Sequence, residues 1–181
     1  MIKLLCVLLA LLILTHAAAA ADYSPALGMT MRKFIEEYNK QPAPLSSPYK
    51  ILSEPYAWTE PSDNSFAAFF QAENNDKAIV MLLTHDPDHP KSLDAGLDSV
   101  KIHVMDPEFW LSLITLTKRC MSVFYPDDYG IIVPRTILSL LDYYHDNSTS
   151  PLYSSKISFG NLNEYKLIYF RNTFWIEKAE Q

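Results

Sequence analysis

Glycine and cysteine are scarce in this chain, with 4 glycines and 2 cysteines among 181 residues. So little glycine leaves no glycine-rich loop able to cradle a phosphate, which disfavours nucleotide binding. Cys6 lies inside an N-terminal apolar run, so Cys120 is the sole thiol once that run is removed. An internal disulfide is then excluded, and a lone cysteine behaves as a small hydrophobe or pairs with another molecule. Clusters of Lys and Arg are also missing, and the formal net charge is −6. That balance argues against nucleic acid and against a polyanionic membrane surface, both of which demand concentrated positive charge. There is no G-x-S-x-G elbow and no H-E-x-x-H helix. His103 and His145 could join a serine only through a geometry that spacing does not supply. Glu36 with Glu37, and Glu54 with Glu60, are not forced across a cleft as glycoside hydrolysis requires.

The N-terminus carries the most specific signal. Met1-Ile2-Lys3 is a short positive start, Leu4 to Leu14 is unbroken apolar sequence, and Ala17 to Ala21 offers small-residue cleavage choices. These three parts describe a secretory signal peptide over 1–21, cut near Ala20 or Ala21. The run is shorter than the roughly 20 residues a spanning helix needs, so no retained membrane span is expected. Loss of Lys3 takes the formal charge from −6 to −7. The remainder, 22–181, has the size of a single domain and should bury about two-thirds of its unfolded surface without a covalent staple. The expected location is secreted or periplasmic, and the alanine-rich exit suggests a bacterial envelope.

Periodicity sets the fold class. Residues 22–28 and the proline-rich 41–48 read as linkers. Between them Met31, Phe34, Ile35 and Tyr38 share one helical face, with Thr30 as N-cap. Arg32 and Lys33 stand four residues before Glu36 and Glu37, a spacing that allows ion pairs. Strands are expected at 49–58 (broken at Pro55), 65–72, 77–85 and 98–105, the second and third forming a hairpin across the 73–76 turn. Residues 77–85 are apolar on both faces, which predicts a central strand covered on both sides by helices. Residues 106–126 form the strongest helix: Asp106 caps it, Pro107 suits its first turn, and Leu113, Thr117, Cys120 and Met121 face inward. Lys118 and Arg119 fall near its C-terminus, where the dipole favours cations. A turn at 127–130 leads to a helix over 134–146, with Ile137, Leu138, Leu141 and Tyr144 inward. Strands at 153–159, 164–170 and 173–177, with a turn at 160–163, complete a meander. The expected class is α+β: an antiparallel sheet of about 5–7 strands covered by an N-terminal helix and two central helices.

One short stretch could carry chemistry. Thr84-His85-Asp86-Pro87-Asp88-His89-Pro90 concentrates imidazole and carboxylate, both competent ligands for zinc or another divalent ion. His85, Asp86, Asp88 and His89 are therefore the candidate metal ligands. The two prolines instead favour a stiff acidic turn, and a compact site needs ligands that converge with supporting hydrogen bonds. The turn is the preferred reading, and no cofactor is expected. Among 11 Tyr, 9 Phe and 3 Trp, Tyr49, Tyr56 and Trp58 lie on a broken peripheral strand and are the candidate ligand-binding residues. Tyr125, Tyr129, Tyr143 and Tyr144 flank turns and helix ends. Such residues are enriched at binding surfaces and are also ordinary core and rim residues.

The stretch Leu27-Gly-Met-Thr-Met-Arg-Lys-Phe34 resembles the helix opening of small secreted bacterial domains, the β-lactamase-inhibitor-like group and the small lipoproteins of outer-membrane assembly. Gly28, Met29 and Thr30 carry the match, with Phe34 near the apolar position. This chain is longer and lacks their glycine-rich second half. The resemblance implies helices preceding an antiparallel sheet, and a binding module rather than an enzyme. The expected function is thus an exported, non-enzymatic domain that binds an unknown protein or small ligand in the cell envelope. A metal-dependent hydrolase built on residues 85–89 is one alternative. A dimeric structural or chaperone-like envelope protein is the other.

Overall fold

A computed structural model describes residues 23–41, 54–60, 65–71, 78–105, 110–125, 135, 137–139, 157–162, 165–170 and 173–179. The elements in chain order are α1 (Met31–Lys40), β1 (Ala57–Thr59), β2 (Phe66–Gln71), β3 (Ala78–Thr84), β4 (Ser99–Val104), α2 (Trp110–Phe124), β5 (Ile157–Leu162), β6 (Tyr165–Phe170) and β7 (Thr173–Lys178). The strands form one sheet in the order β1-β2-β3-β4-β7-β6-β5, antiparallel at every pairing. The class is α+β. β1 to β4 meander outward and back, and the last strand returns to lie beside β4. The expected leader, Tyr49, residues 42–48 of the expected linker and most of the expected 134–146 helix lie outside the described residues, as do the expected turns at 73–76 and 127–130.

Register explains where the core sits. Ala68, Leu82, Val100, Ile176 and Leu167 stand side by side across β2, β3, β4, β7 and β6. The next row is Phe70, Val80, Ile102, Phe174 and Tyr169. Met31, Phe34, Ile35 and Tyr38 of α1, with Leu113, Leu116, Cys120 and Met121 of α2, close over these rows as one buried cluster. Each fully buried side chain of this size contributes about 1.5–3 kcal/mol of transfer free energy. β3 is buried on its other face too, with Ile79 and Leu83 at 8% and 9% exposure, and only Met81 is half-buried. The two-sided burial expected of an unbroken apolar run is therefore present. Helices α1 and α2, however, pack on one face only. On the other face short cross-strand pairs take over: Lys101 Nζ lies 4.0 Å from the Trp175 ring centre, and His103 Nδ1 lies 2.9 Å from Thr173 Oγ1.

Local departures have physical causes. β5 runs through the expected 160–163 turn as far as Leu162, because a bulge between Phe159 and Asn161 absorbs Gly160 without ending the strand. Leu138, expected inward, is 54% exposed, whereas Ile137 is buried. Arg32 turns away from Glu36 to make a fork with Asp94, Nε to Oδ1 at 2.7 Å and Nη2 to Oδ2 at 3.3 Å. Lys40 pairs with Glu37 instead of Lys33. The largest difference is Arg119. It does not decorate the end of its own helix but is 2% exposed, and donates to the carbonyls of Tyr38 at 3.4 Å and Gln41 at 3.2 Å. Its guanidinium also stacks 4.5 Å from the Tyr38 ring. A cation is thus placed at the negative end of α1, satisfying carbonyls that the helix cannot.

Arg119→Ala should lower stability by about 2–4 kcal/mol, since it strips a buried charge-assisted cap. The urea midpoint should fall with an unchanged slope, and a loss under about 0.5 kcal/mol would contradict the capping role. Cys120 is fully buried, and burial pushes its thiol pKa far up despite the opposing pull of Arg119. In a Cys6→Ala background it should resist a disulfide reagent in the native state and react on unfolding. Fast native labelling would refute this placement.

Candidate functional site: a carboxylate-braced loop

The segment between β3 and β4 is held by two aspartates. Asp86 is 4% exposed. Its Oδ1 accepts the backbone N–H of Asp88 at 3.0 Å and of His89 at 3.2 Å, the self-bonding turn that aspartate favours. Its Oδ2 accepts the N–H of Gly96 at 3.1 Å and lies 3.3 Å from His89 Nδ1. Thr84 Oγ1 in turn accepts the N–H of Asp86 at 2.9 Å. Burial alone would raise the Asp86 pKa, but the N–H groups of Gly96, Asp88 and His89, and then the His89 ring, outweigh it and leave the carboxyl below its ordinary 3.8.

Asp98 is the second brace. Its Oδ2 accepts the N–H of His85 at 2.6 Å and lies 3.1 Å from His85 Nδ1. Its Oδ1 accepts the Tyr23 hydroxyl at 2.9 Å and the N–H of Ala26 at 3.0 Å. Asp98 therefore ties the segment before α1 to the β3–β4 connection. A short ladder extends the tie: Leu27 N–H to Leu97 O at 2.9 Å, Leu97 N–H to Met29 O at 2.8 Å, and Met31 N–H to Ala95 O at 3.0 Å. Thr30 caps α1 by accepting from the N–H of Lys33 at 3.2 Å, and it bridges Gly96. Burial raises the Tyr23 pKa most; Thr84 pulls it down and the Asp98 and Asp86 carboxylates push it up again. The phenol stays protonated and donates.

Gly96 shows how closely the two segments approach. A Cβ there would meet Tyr23 Cε1 at 2.6 Å and Pro25 Cβ at 2.8 Å. Between the segments lies a cleft of about 210 Å³ lined by Tyr23, Pro25 and Thr30 on one side and by Asp86, Asp88, His89, Asp94 and Gly96 on the other. Asp94 is engaged with Arg32, which holds its carboxyl below the ordinary value. Asp88 makes no side-chain hydrogen bond or ion pair among the described residues. Lys91, at a positive φ of 57°, pairs with Glu60 and fastens the loop to the end of β1.

Of the four proposed metal ligands, Asp86, Asp88 and His89 line one cleft, and His85 lies apart from them. His85 turns to Asp98 and His89 to Asp86. Among the described residues no three His, Cys, Asp or Glu side chains are arranged to hold a metal ion. The aromatic candidates are also dispersed. Trp58 packs against the core, and Tyr56 is 55% exposed with its ring 6.1 Å from that of Phe69. Sequence reasoning placed Thr30 only as a helix cap and missed Tyr23, Asp94 and Asp98. One signal was available: with so few glycines, Gly96 between two aspartates marks a close backbone approach. No helix among the described residues is long and apolar enough to cross a membrane. Searches against protein-family models, curated proteins and solved structures return no match.

Because the unfolded Asp86 carboxyl takes up a proton more readily than the folded one, falling pH favours the unfolded chain. The Asp86 contribution is complete above the ordinary value of 3.8 and is lost as pH drops through the lower folded value. Asp86→Asn should therefore cost about 1–3 kcal/mol at neutral pH and flatten the acid limb of the stability profile. Urea midpoints between pH 2 and 7 test this, and an unchanged acid limb would show that Asp86 does not brace the loop.

Proposed function

We propose that the protein is an exported, non-enzymatic binding domain, and that the cleft between residues 23–30 and 86–96 receives a cationic group from a protein or small ligand of the cell envelope. The observation that carries this reading is the convergence of Asp86, Asp88 and Asp94 on one cleft, with Asp88 uncommitted among the described residues. Asp86 and Asp88, beside an Asp94 already shared with Arg32, on a chain of net charge −6 create a field that draws cations and repels anions. The volume of about 210 Å³ falls below the usual range for a drug-sized ligand, about 300–1,000 Å³. A single lysine-like side chain or small amine is the better match, its methylenes lying against Tyr23 and Pro25. Buried Asp86 spends its lone pairs on backbone N–H groups, which suits a fixed wall rather than a general base. The resemblance of residues 27–39 to small secreted binding domains points the same way.

Titration with butylammonium chloride, followed by amide NMR shifts, tests the proposal. Gly96, His89 and Thr30 should shift with butylammonium and not with sodium butyrate. Asp88→Asn should weaken binding about twofold to fivefold, the scale of one partly screened charge pair. Equal responses to the two salts, or none, would refute the reading.

A further inference from the structure

We propose that residues 23–26 are a flap over this cleft, latched by Asp98 and hinged where Ala26 meets the seated Leu27; the inference rests on the cleft reading above and adds its control. Leu27 is firmly seated, 1% exposed and bonded to Leu97 O at 2.9 Å. Just beyond it the chain reverses: Gly28 has φ +71°, open to glycine and disfavoured for other residues, and its N–H donates to Pro25 O at 2.9 Å. From that turn residues 23–26 fold back across the loop. Their two short bonds to it, from the Tyr23 hydroxyl and the Ala26 N–H, end on one oxygen, Asp98 Oδ1. A longer contact of 3.4 Å joins the Tyr23 hydroxyl to Thr84 Oγ1. The Tyr23 ring occupies space that only glycine leaves free at position 96.

Geometry makes this latch a gate. Tyr23 and Pro25 line the cleft from the flap side and the aspartates line it from the loop side. Release of one carboxylate oxygen, together with the Gly28 N–H to Pro25 O bond, frees the near wall at residues 23–26 while the Leu27–Leu97–Met29 ladder and α1 stay in place. Small hinge-bounded segments of this kind exchange between open and closed on their own, apart from global unfolding. A ligand bound behind the flap then stabilises the closed form by linkage.

Native-state hydrogen exchange tests the flap without any ligand. Tyr23→Phe keeps the ring and removes the latch hydroxyl. Exchange at the Ala26 amide should rise about fivefold to tenfold, the worth of one hydrogen bond, while Leu97, Val80 and Ile102 stay unchanged. Gly96→Ala should give the same local signature by displacing the ring. No acceleration at Ala26, or equal acceleration at Val80 and Ile102, would overturn the flap. In the unaltered protein, saturating butylammonium should slow Ala26 exchange, and bound butylammonium without that slowing would overturn the closing role. If butylammonium does not bind, the cleft reading fails and the flap is decided by Tyr23→Phe alone.

Discussion

Two buried or nearly buried carboxylates organise the β3–β4 end of this protein. Asp86 and Asp98 each collect hydrogen bonds from backbone groups that would otherwise be left without partners in an irregular connection. A buried amide without a partner costs about 1–3 kcal/mol, so a loop of this length is held in one shape only if its N–H groups are accounted for. Asp86 does so within the loop. Asp98 does so between the loop and the segment before α1. Asp86 shapes the acidic wall, and Asp98, with the Leu27–Leu97–Met29 ladder, holds the segment before α1 against it.

The sheet supplies the fixed frame on which that arrangement sits. β3 and β4 deliver Thr84 and Asp98 to one end of the sheet, and their position is set by rows of buried side chains packed under α1 and α2. Arg119 reaches from α2 to the last carbonyls of α1 and so fixes the helix whose N-terminal cap, Thr30, lines the cleft. A buried cation at one end of α1 and a capping hydroxyl at the other hold the helix axially. Thr30 thus anchors the α1 side of the cleft, and residues 23–26 are tied to the loop by the bonds of Tyr23 and Ala26 to Asp98.

Much of the frame was legible from spacing. Met31, Phe34, Ile35 and Tyr38 are buried as their period demands, Thr30 caps, and the alternation of Val100, Ile102 and Val104 places them inward. Periodicity reports which side of an element is apolar, and these elements obey it. It does not report what a charged residue meets across space. Arg119 sits one position from Cys120 and turns inward because α1 offers carbonyls there, which no pattern within α2 encodes. Likewise His85, Asp86, Asp88 and His89 look like ligands for one ion because they are close in sequence. Asp98, thirteen residues from His85, draws that ring away, while Asp86, Asp88 and His89 stay on one cleft without forming a three-ligand group among the described residues. The 22–28 stretch reads as a linker in sequence, yet its Tyr23 hydroxyl and Ala26 amide are specified by a single distant oxygen.

The account turns on a carboxylate, rather than a bound ion, as the organiser of the β3–β4 connection. The most direct measurement is the pH dependence of the amide proton shifts of Asp88, His89 and Gly96, recorded with a chelator and again with added zinc. All three N–H groups donate to Asp86, so they should follow one shared inflection below 3.8 and ignore both additions. Separate inflections, or a transition that moves when zinc is supplied or removed, would contradict it.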